Sequence, residues 1–82
     1  MKFINAGYNN MVSAEKIVAL VGFDSAPAKR LVQDSKDSGR AVDCTGGKKT
    51  RTVIIMNSGH VILSSLETEK LAARVAGEDE EE

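Results

Sequence analysis

Two glycines precede three cations in Gly46-Gly47-Lys48-Lys49-Thr50-Arg51. Glycine lets a main chain approach another molecule closely, and closely spaced cations suit phosphate oxygens. A nucleotide-type phosphate loop is excluded by spacing. That loop needs Gly, four residues, then Gly-Lys-Ser/Thr opening a helix, and here β-forming residues follow. Contact with a nucleic-acid backbone passes this objection. The competing reading is a solvated approach to a hairpin, with lysines for solubility or edge protection. Lys16, beside Glu15, adds a cation that reads equally as an ordinary surface lysine. His60 has no second ligand and no nucleophile partner, which favours a structural role. Cys44 lies in an apolar-alternating stretch and reads as a buried, inert thiol. Asp43 is either an orienting group for the glycine turn or a solvent-facing carboxylate. No carboxylate pair, catalytic triad or metal-ligand spacing is present. An enzyme is the weakest class, and no cofactor or metal is expected.

The chain has 82 residues, one cysteine and one histidine. An intrachain disulfide is impossible, and zinc would lack ligands. A chain of this size buries only about 60% of its unfolded surface. With no staple for so small a core, self-association is expected to complete it. Aromatic residues make up 4%, with no tryptophan, which argues against base-stacking platforms for single strands. The longest apolar run, Ile17-Val18-Ala19-Leu20-Val21, is far short of a membrane span. Met1-Lys2 precedes no signal-type apolar region. A cytoplasmic, nucleoid-associated protein without a membrane partner is expected. The net charge of −1 conceals an asymmetry. Five of the twelve acids occupy positions 78–82, which leaves 11 basic against 7 acidic side chains in the rest. A mildly basic body with an acidic tail often accompanies contact with a polyanion.

The elements that must position these residues form one domain over 1–77, and the acidic run 78–82 is expected to be disordered. Phe3 to Ala6 begins a first strand, and Gly7-Tyr8-Asn9-Asn10 reads as a turn. Val12 to Val21 reads as one strand, polar in its first half and covered on both faces in its second. Asp24 or Ser25 caps a helix with Pro27 in its first turn. Ala28, Leu31, Val32 and Ser35 form its apolar face, and Gly39 stops it. Ala41 to Cys44 is a short strand and Gly46-Gly47 a flexible turn. Thr50–Met56 and His60–Leu66, separated by Asn57-Ser58-Gly59, form a β-hairpin. Glu67 to Ala76 is a second helix ended by Gly77. The resulting class is α+β: a small antiparallel sheet of four to five strands with two short helices on one face.

The order of the motifs resembles a known family. Asn5-Ala6-Gly7-Tyr8-Asn9-Asn10, Ser13-Ala14 and Asp24-Ser25-Ala26-Pro27-Ala28-Lys29-Arg30 come first. Thr45-Gly46-Gly47-Lys48-Lys49-Thr50-Arg51 and Met56-Asn57-Ser58-Gly59-His60-Val61-Ile62-Leu63-Ser64 follow. Together they are similar to the bacterial RemA-like family (extracellular matrix regulatory protein A) over roughly Lys2 to Ala76. The resemblance implies a DNA-binding transcriptional regulator of biofilm-matrix genes, built as a ring around whose outer surface DNA wraps without strict base readout. It also implies DNA contact at the positions here held by Lys48, Lys49 and Lys16, where the family carries arginine. Charge survives that change, but the planar fork that reads guanine or enters a narrow minor groove does not. Arg51 matches the family's Gly-x-x-Thr-Arg element, although strand alternation could turn it inward to pair with an acid.

The expectation is therefore a closed homo-oligomer that binds double-stranded DNA. Lys16, Lys48, Lys49 and Arg51 would form the DNA-binding set, with Gly46 and Gly47 letting the backbone approach phosphate. The alternative is a ring that scaffolds other proteins without touching DNA. A small-molecule sensor is disfavoured, because it needs an enclosed apolar pocket for which so short a chain scarcely has room.

Overall fold

Alternation decides the architecture. In the hairpin strands, Val53, Val61 and Leu63 face one way, and Ile54 and Ile62 face the other. A sheet apolar on both faces must be covered on both. The computed structural model describes residues 2–77 and shows how this is done; the expected tail 78–82 lies outside them. The elements are β1 (Phe3–Asn5), β2 (Met11–Ser13), a 3₁₀ turn (Ala14–Lys16), β3 (Ile17–Gly22) and α1 (Ala26–Asp37). They continue with β4 (Ala41–Asp43), β5 (Thr52–Met56), β6 (Val61–Ser64) and α2 (Thr68–Ala76). The main sheet has the order β3-β5-β6-β4, and β1-β2 forms a separate two-stranded ribbon.

The α+β class is as the sequence indicates, but the helices do not share a face. Val32 of α1 packs with Val53, Val61 and Leu63. Leu71 of α2 packs on the opposite face with Ile54, Ile62 and the ribbon residues Ile4 and Val12. A two-stranded ribbon has too little surface to stand alone. It serves here as part of the second cover, tied on where the Ser64 hydroxyl donates to the Ala6 carbonyl at 2.7 Å.

The sheet is also not wholly antiparallel. β4 runs parallel to β6, pairing Ala41 with Val61 and Asp43 with Leu63. The reason is that α1 is a crossover: the chain leaves β3 at one edge and returns through the helix to start β4 at the other, in the same direction. Ser25 caps α1 by accepting from the Ala28 N–H at 3.3 Å, and Pro27 lies in the first turn.

The expected strand Val12 to Val21 is broken in two. β2 pairs with β1, whereas β3 pairs with β5, so the chain must change sheets between them. Ala14, Glu15 and Lys16, good helix formers, make the change as a single 3₁₀ turn. The Ala14 N–H is bound to the Lys2 carbonyl, and the Lys16 carbonyl accepts from the Asn57 N–H. Nor is the apolar half covered on both faces. β3 is an edge strand, and a bulge between Ile17 and Ala19 leaves Val18 66% exposed.

β3, β4 and β6 all point the same way, so the molecule has two distinct ends. At their carboxyl ends lie the connection 44–51 and the starts of α1 and α2. The second of these is fixed where Thr52 Oγ1 meets Thr68 Oγ1 at 2.9 Å and donates to the Leu66 carbonyl at 2.8 Å. At the other end lie Lys16 and the Asn57-Ser58-Gly59 turn. Leu71 is fully buried at the centre of the α2 face. Leu71→Ala should therefore lower the unfolding free energy by about 2–5 kcal/mol, measured by urea denaturation.

Candidate nucleic-acid interface

Two tight turns face each other at the carboxyl end of the sheet. The first joins β1 to β2. The Asn10 N–H donates to the Gly7 carbonyl at 3.0 Å, closing a turn whose central residues are Tyr8 and Asn9. Both have positive φ, 55° and 65°. Such values suit the primed turns that match strand twist, but Gly and Asn are the residues that adopt them readily. Tyrosine there costs on the order of 1–2 kcal/mol. Side-chain amides brace the turn: Asn5 Oδ1 accepts from the Gly7 N–H at 2.8 Å, and Asn10 Nδ2 donates to the Gly7 carbonyl at 2.7 Å.

The second turn follows β4. The Lys48 N–H donates to the Thr45 carbonyl at 3.1 Å, with Gly46 and Gly47 between them at φ 64° and 85°. These are the two positions where this loop needs residues without a Cβ. Asp43 is the orienting group, one of the two roles open to it from sequence. Its Oδ1 accepts from Thr45 Oγ1 at 2.6 Å and from the Thr45 N–H at 2.9 Å. The Thr45 hydroxyl, then its amide, hold the Asp43 carboxyl below the usual aspartate range against a small opposing effect of burial, and Lys36 adds to the lowering. Cys44 is buried, and burial, followed by the Asp43 charge, pushes its thiol up. That is the inert thiol expected. His60 also has a local role, its Nδ1 lying 2.7 Å from Ser58 Oγ in the hairpin loop.

The two turns touch. A Cβ built on Gly46 would lie 2.6 Å from Tyr8 Cε2 and 2.7 Å from Cζ, so the tyrosine ring occupies the place of a side chain at Gly46. A Cβ on Gly7 would meet the Cys44 carbonyl at 3.2 Å. Beside this contact lies an open cleft of about 520 Å³ whose lining includes Gly7, Tyr8, Lys48, Lys49, Arg51 and Leu66. A second cleft, of about 710 Å³, shares Lys49 and Arg51 and reaches Lys29, Asp24, Glu67 and Glu69 at the starts of the helices.

Lys48, Lys49 and Arg51 are all exposed and converge on the first cleft. Arg51 does not turn inward. Its N–H donates to the Ser64 carbonyl at 2.9 Å and its carbonyl accepts from the Phe23 N–H, so its backbone extends the ladder just ahead of β5 while the side chain meets solvent. Lys16 is exposed but stands apart, in the 3₁₀ turn beside Asn57 rather than on a strand. The five residues of β5 separate it from Arg51, roughly 15 Å of strand. Tyr8 is the site residue that sequence reasoning missed; its turn was legible, but nothing local indicated what its ring would touch. Among the described residues no group of three or more His, Cys, Asp or Glu side chains could hold a metal ion. Nor is any helix among them long and apolar enough to cross a membrane.

Comparison with known proteins shows the family. Residues 3–75 match the family described as extracellular matrix regulatory protein A-like, or RemA-like. The chain belongs to that family. A relative from Geobacillus kaustophilus, described as a candidate regulatory protein, is 58% identical over 80 residues, covering 98% of this chain and 92% of its own. A similarly described protein of Dictyoglomus turgidum is 49% identical over 82 residues, covering 100% and 96%. One from Clostridium botulinum is also 49% identical over 82 residues, covering 100% and 90%. The RemA-like match spans both turns, α1 and all of α2 but Ala76, and the family and relatives' names mark a regulatory protein.

The Asp43 contact gives a pH test for this turn of the RemA-like chain. A carboxylate whose pKa is lower folded than unfolded contributes stability above the unfolded value, and that stability disappears as pH falls through the folded value. The Thr45 amide resonance should therefore titrate with a midpoint below the usual aspartate range. Asp43→Ala should abolish that titration. A midpoint at the ordinary value would mean that the carboxylate does not hold the turn.

Proposed function

We propose that this chain is a DNA-binding transcriptional regulator that assembles into a closed ring and grips duplex DNA through the basic turn, with biofilm-matrix genes as its targets. The observation that carries the reading is the convergence of exposed Lys48, Lys49 and Arg51 on one cleft, on a loop fixed by Asp43 and Tyr8. Fixed cations at an exposed edge suit phosphates, which position a protein on DNA without reading sequence.

Lys16 would meet the duplex at a second place. It flanks the Asn57–Gly59 turn from one side, and Arg40 flanks it from the other: a Cβ on Gly59 would lie 3.9 Å from Arg40 Cδ. A duplex laid along β5 would meet cations at both ends of that strand, roughly 15 Å apart. Repetition around a ring then multiplies weak contacts.

The sheet's edges favour assembly. β3 and β4 are unlike edges on opposite sides of the sheet, with Val18 and Val42 exposed on them. Head-to-tail contact between unlike surfaces closes into a ring where the rotation between neighbours closes. These edges also support a second reading, in which the ring scaffolds other proteins and the cations are solvated.

DNA retardation at several salt concentrations separates the two. Lys48→Ala with Lys49→Ala should weaken binding to all sequences alike and reduce the salt slope by about 0.9 for each phosphate no longer neutralised. Unchanged affinity in a folded, assembled double variant would favour the scaffold. Light scattering should give a species of more than roughly four subunits; a stable monomer at micromolar concentration would remove the ring.

A further inference from the structure

We infer that Tyr8 is the positioning residue of the basic turn: its ring, held over Gly46 by the first turn, fixes the loop conformation that presents Lys48 and Lys49 to phosphate. The consequence for DNA rests on the function proposed above. The packing claim does not.

Tyr8 lies at a positive φ that tyrosine adopts reluctantly, and its side chain remains 56% exposed. Burial therefore gives little to offset the backbone conformation, and Asn or Gly would close the same turn more easily. What tyrosine adds is its packing on Gly46, where Cε2, Cζ and Cδ2 all lie within 2.9 Å of the place a Cβ would take. Among the described residues the phenol hydroxyl makes no hydrogen bond, so the ring carries the interaction. Gly46 and Gly47 are otherwise the most mobile kind of backbone, and nothing lies within 4 Å of a Cβ on Gly47. Asp43 holds the loop at Thr45, before the glycines. Without Tyr8, the segment from Gly46 to Lys49 keeps, among the described residues, only the turn bond from the Lys48 N–H to the Thr45 carbonyl before the ladder resumes at Arg51, and its lysines would sample many positions. A flexible loop binds more weakly by the fraction of time it spends in the competent conformation.

Four variants test this: Tyr8→Phe, Tyr8→Ala, Gly46→Ala and the double Tyr8→Ala/Gly46→Ala, in the full chain. Tyr8→Ala keeps an L-residue at the same φ and removes only the ring. It should weaken binding to a 30-base-pair duplex on the order of tenfold with the salt slope unchanged, because the same lysines still meet phosphate. Tyr8→Phe should bind like the parent. If Tyr8→Phe weakens binding as much as Tyr8→Ala, the hydroxyl is the active group and the inference is overturned. A second readout needs no DNA. Amide order parameters for Gly46 to Lys49 should fall in Tyr8→Ala, from about 0.85 towards 0.6, and hold in Tyr8→Phe. Unchanged order parameters would refute the packing claim even if binding changed; a parent protein that binds no DNA would instead fail the functional reading and leave this readout decisive. Gly46→Ala should disturb the loop less in the presence of Tyr8→Ala than in its absence, since the clash is gone. Strict additivity would show that the two residues do not restrain each other.

Discussion

With no Cβ at Gly46, the Tyr8 ring can lie where that carbon would stand, and the connections β1–β2 and β4–β5 become one structure. Each connection alone is a tight turn with two positive-φ residues at its centre, a form that tolerates many conformations when unsupported. Pressed together, they hold each other. Asp43 fixes the start of the second turn through Thr45, and the ladder just ahead of β5 fixes Arg51 at its end. On the positioning role inferred for Tyr8, the cations between those points take their place from the ring contact and the Asp43–Thr45 bonds together.

That platform exists because the ribbon β1–β2 is folded back on the α2 face. Ile4 and Val12 bury themselves against Ile54, Ile62 and Leu71, which carries the Gly7–Asn10 turn to the carboxyl end of the main sheet. The ribbon reaches that place because the 3₁₀ turn Ala14–Lys16 lets the chain leave one sheet and enter the other. The position of Lys16 follows from the same turn. A continuous strand would have offered it on a flat face; the turn sets it at the end of the molecule remote from Arg51.

Local signals proved readable from sequence, and relations between distant segments did not. Asn57-Ser58-Gly59 between two Val/Ile-rich runs marked the hairpin, with Gly59 at φ 92°. Ser25 and Pro27 marked the start of α1, and Gly77, left-handed at φ 79°, the end of α2. The cation cluster was legible as a segment. The strand break at Ala14–Lys16 was hidden because three residues are too few to show a period. The parallel pairing of β4 and the opposite placement of the helices depend on the crossover made by α1, which only the assembled sheet reveals. Tyr8 on Gly46 joins positions 38 residues apart in sequence, and no spacing rule connects them.

The choice of lysine fits a platform made this way. Arginine's planar fork gains most where it meets two acceptors at fixed angles, whereas the lysine ammonium is a compact point charge on a flexible stem. A rigid loop bearing lysines defines where charge stands without defining the angle at which it meets an oxygen. Under the proposed function, such a surface would accept phosphates from any sequence and leave discrimination to DNA shape or to the spacing of subunits. The proposed interface then draws its strength from repetition, and its geometry from two turns and a tyrosine ring rather than from any single interaction with a base.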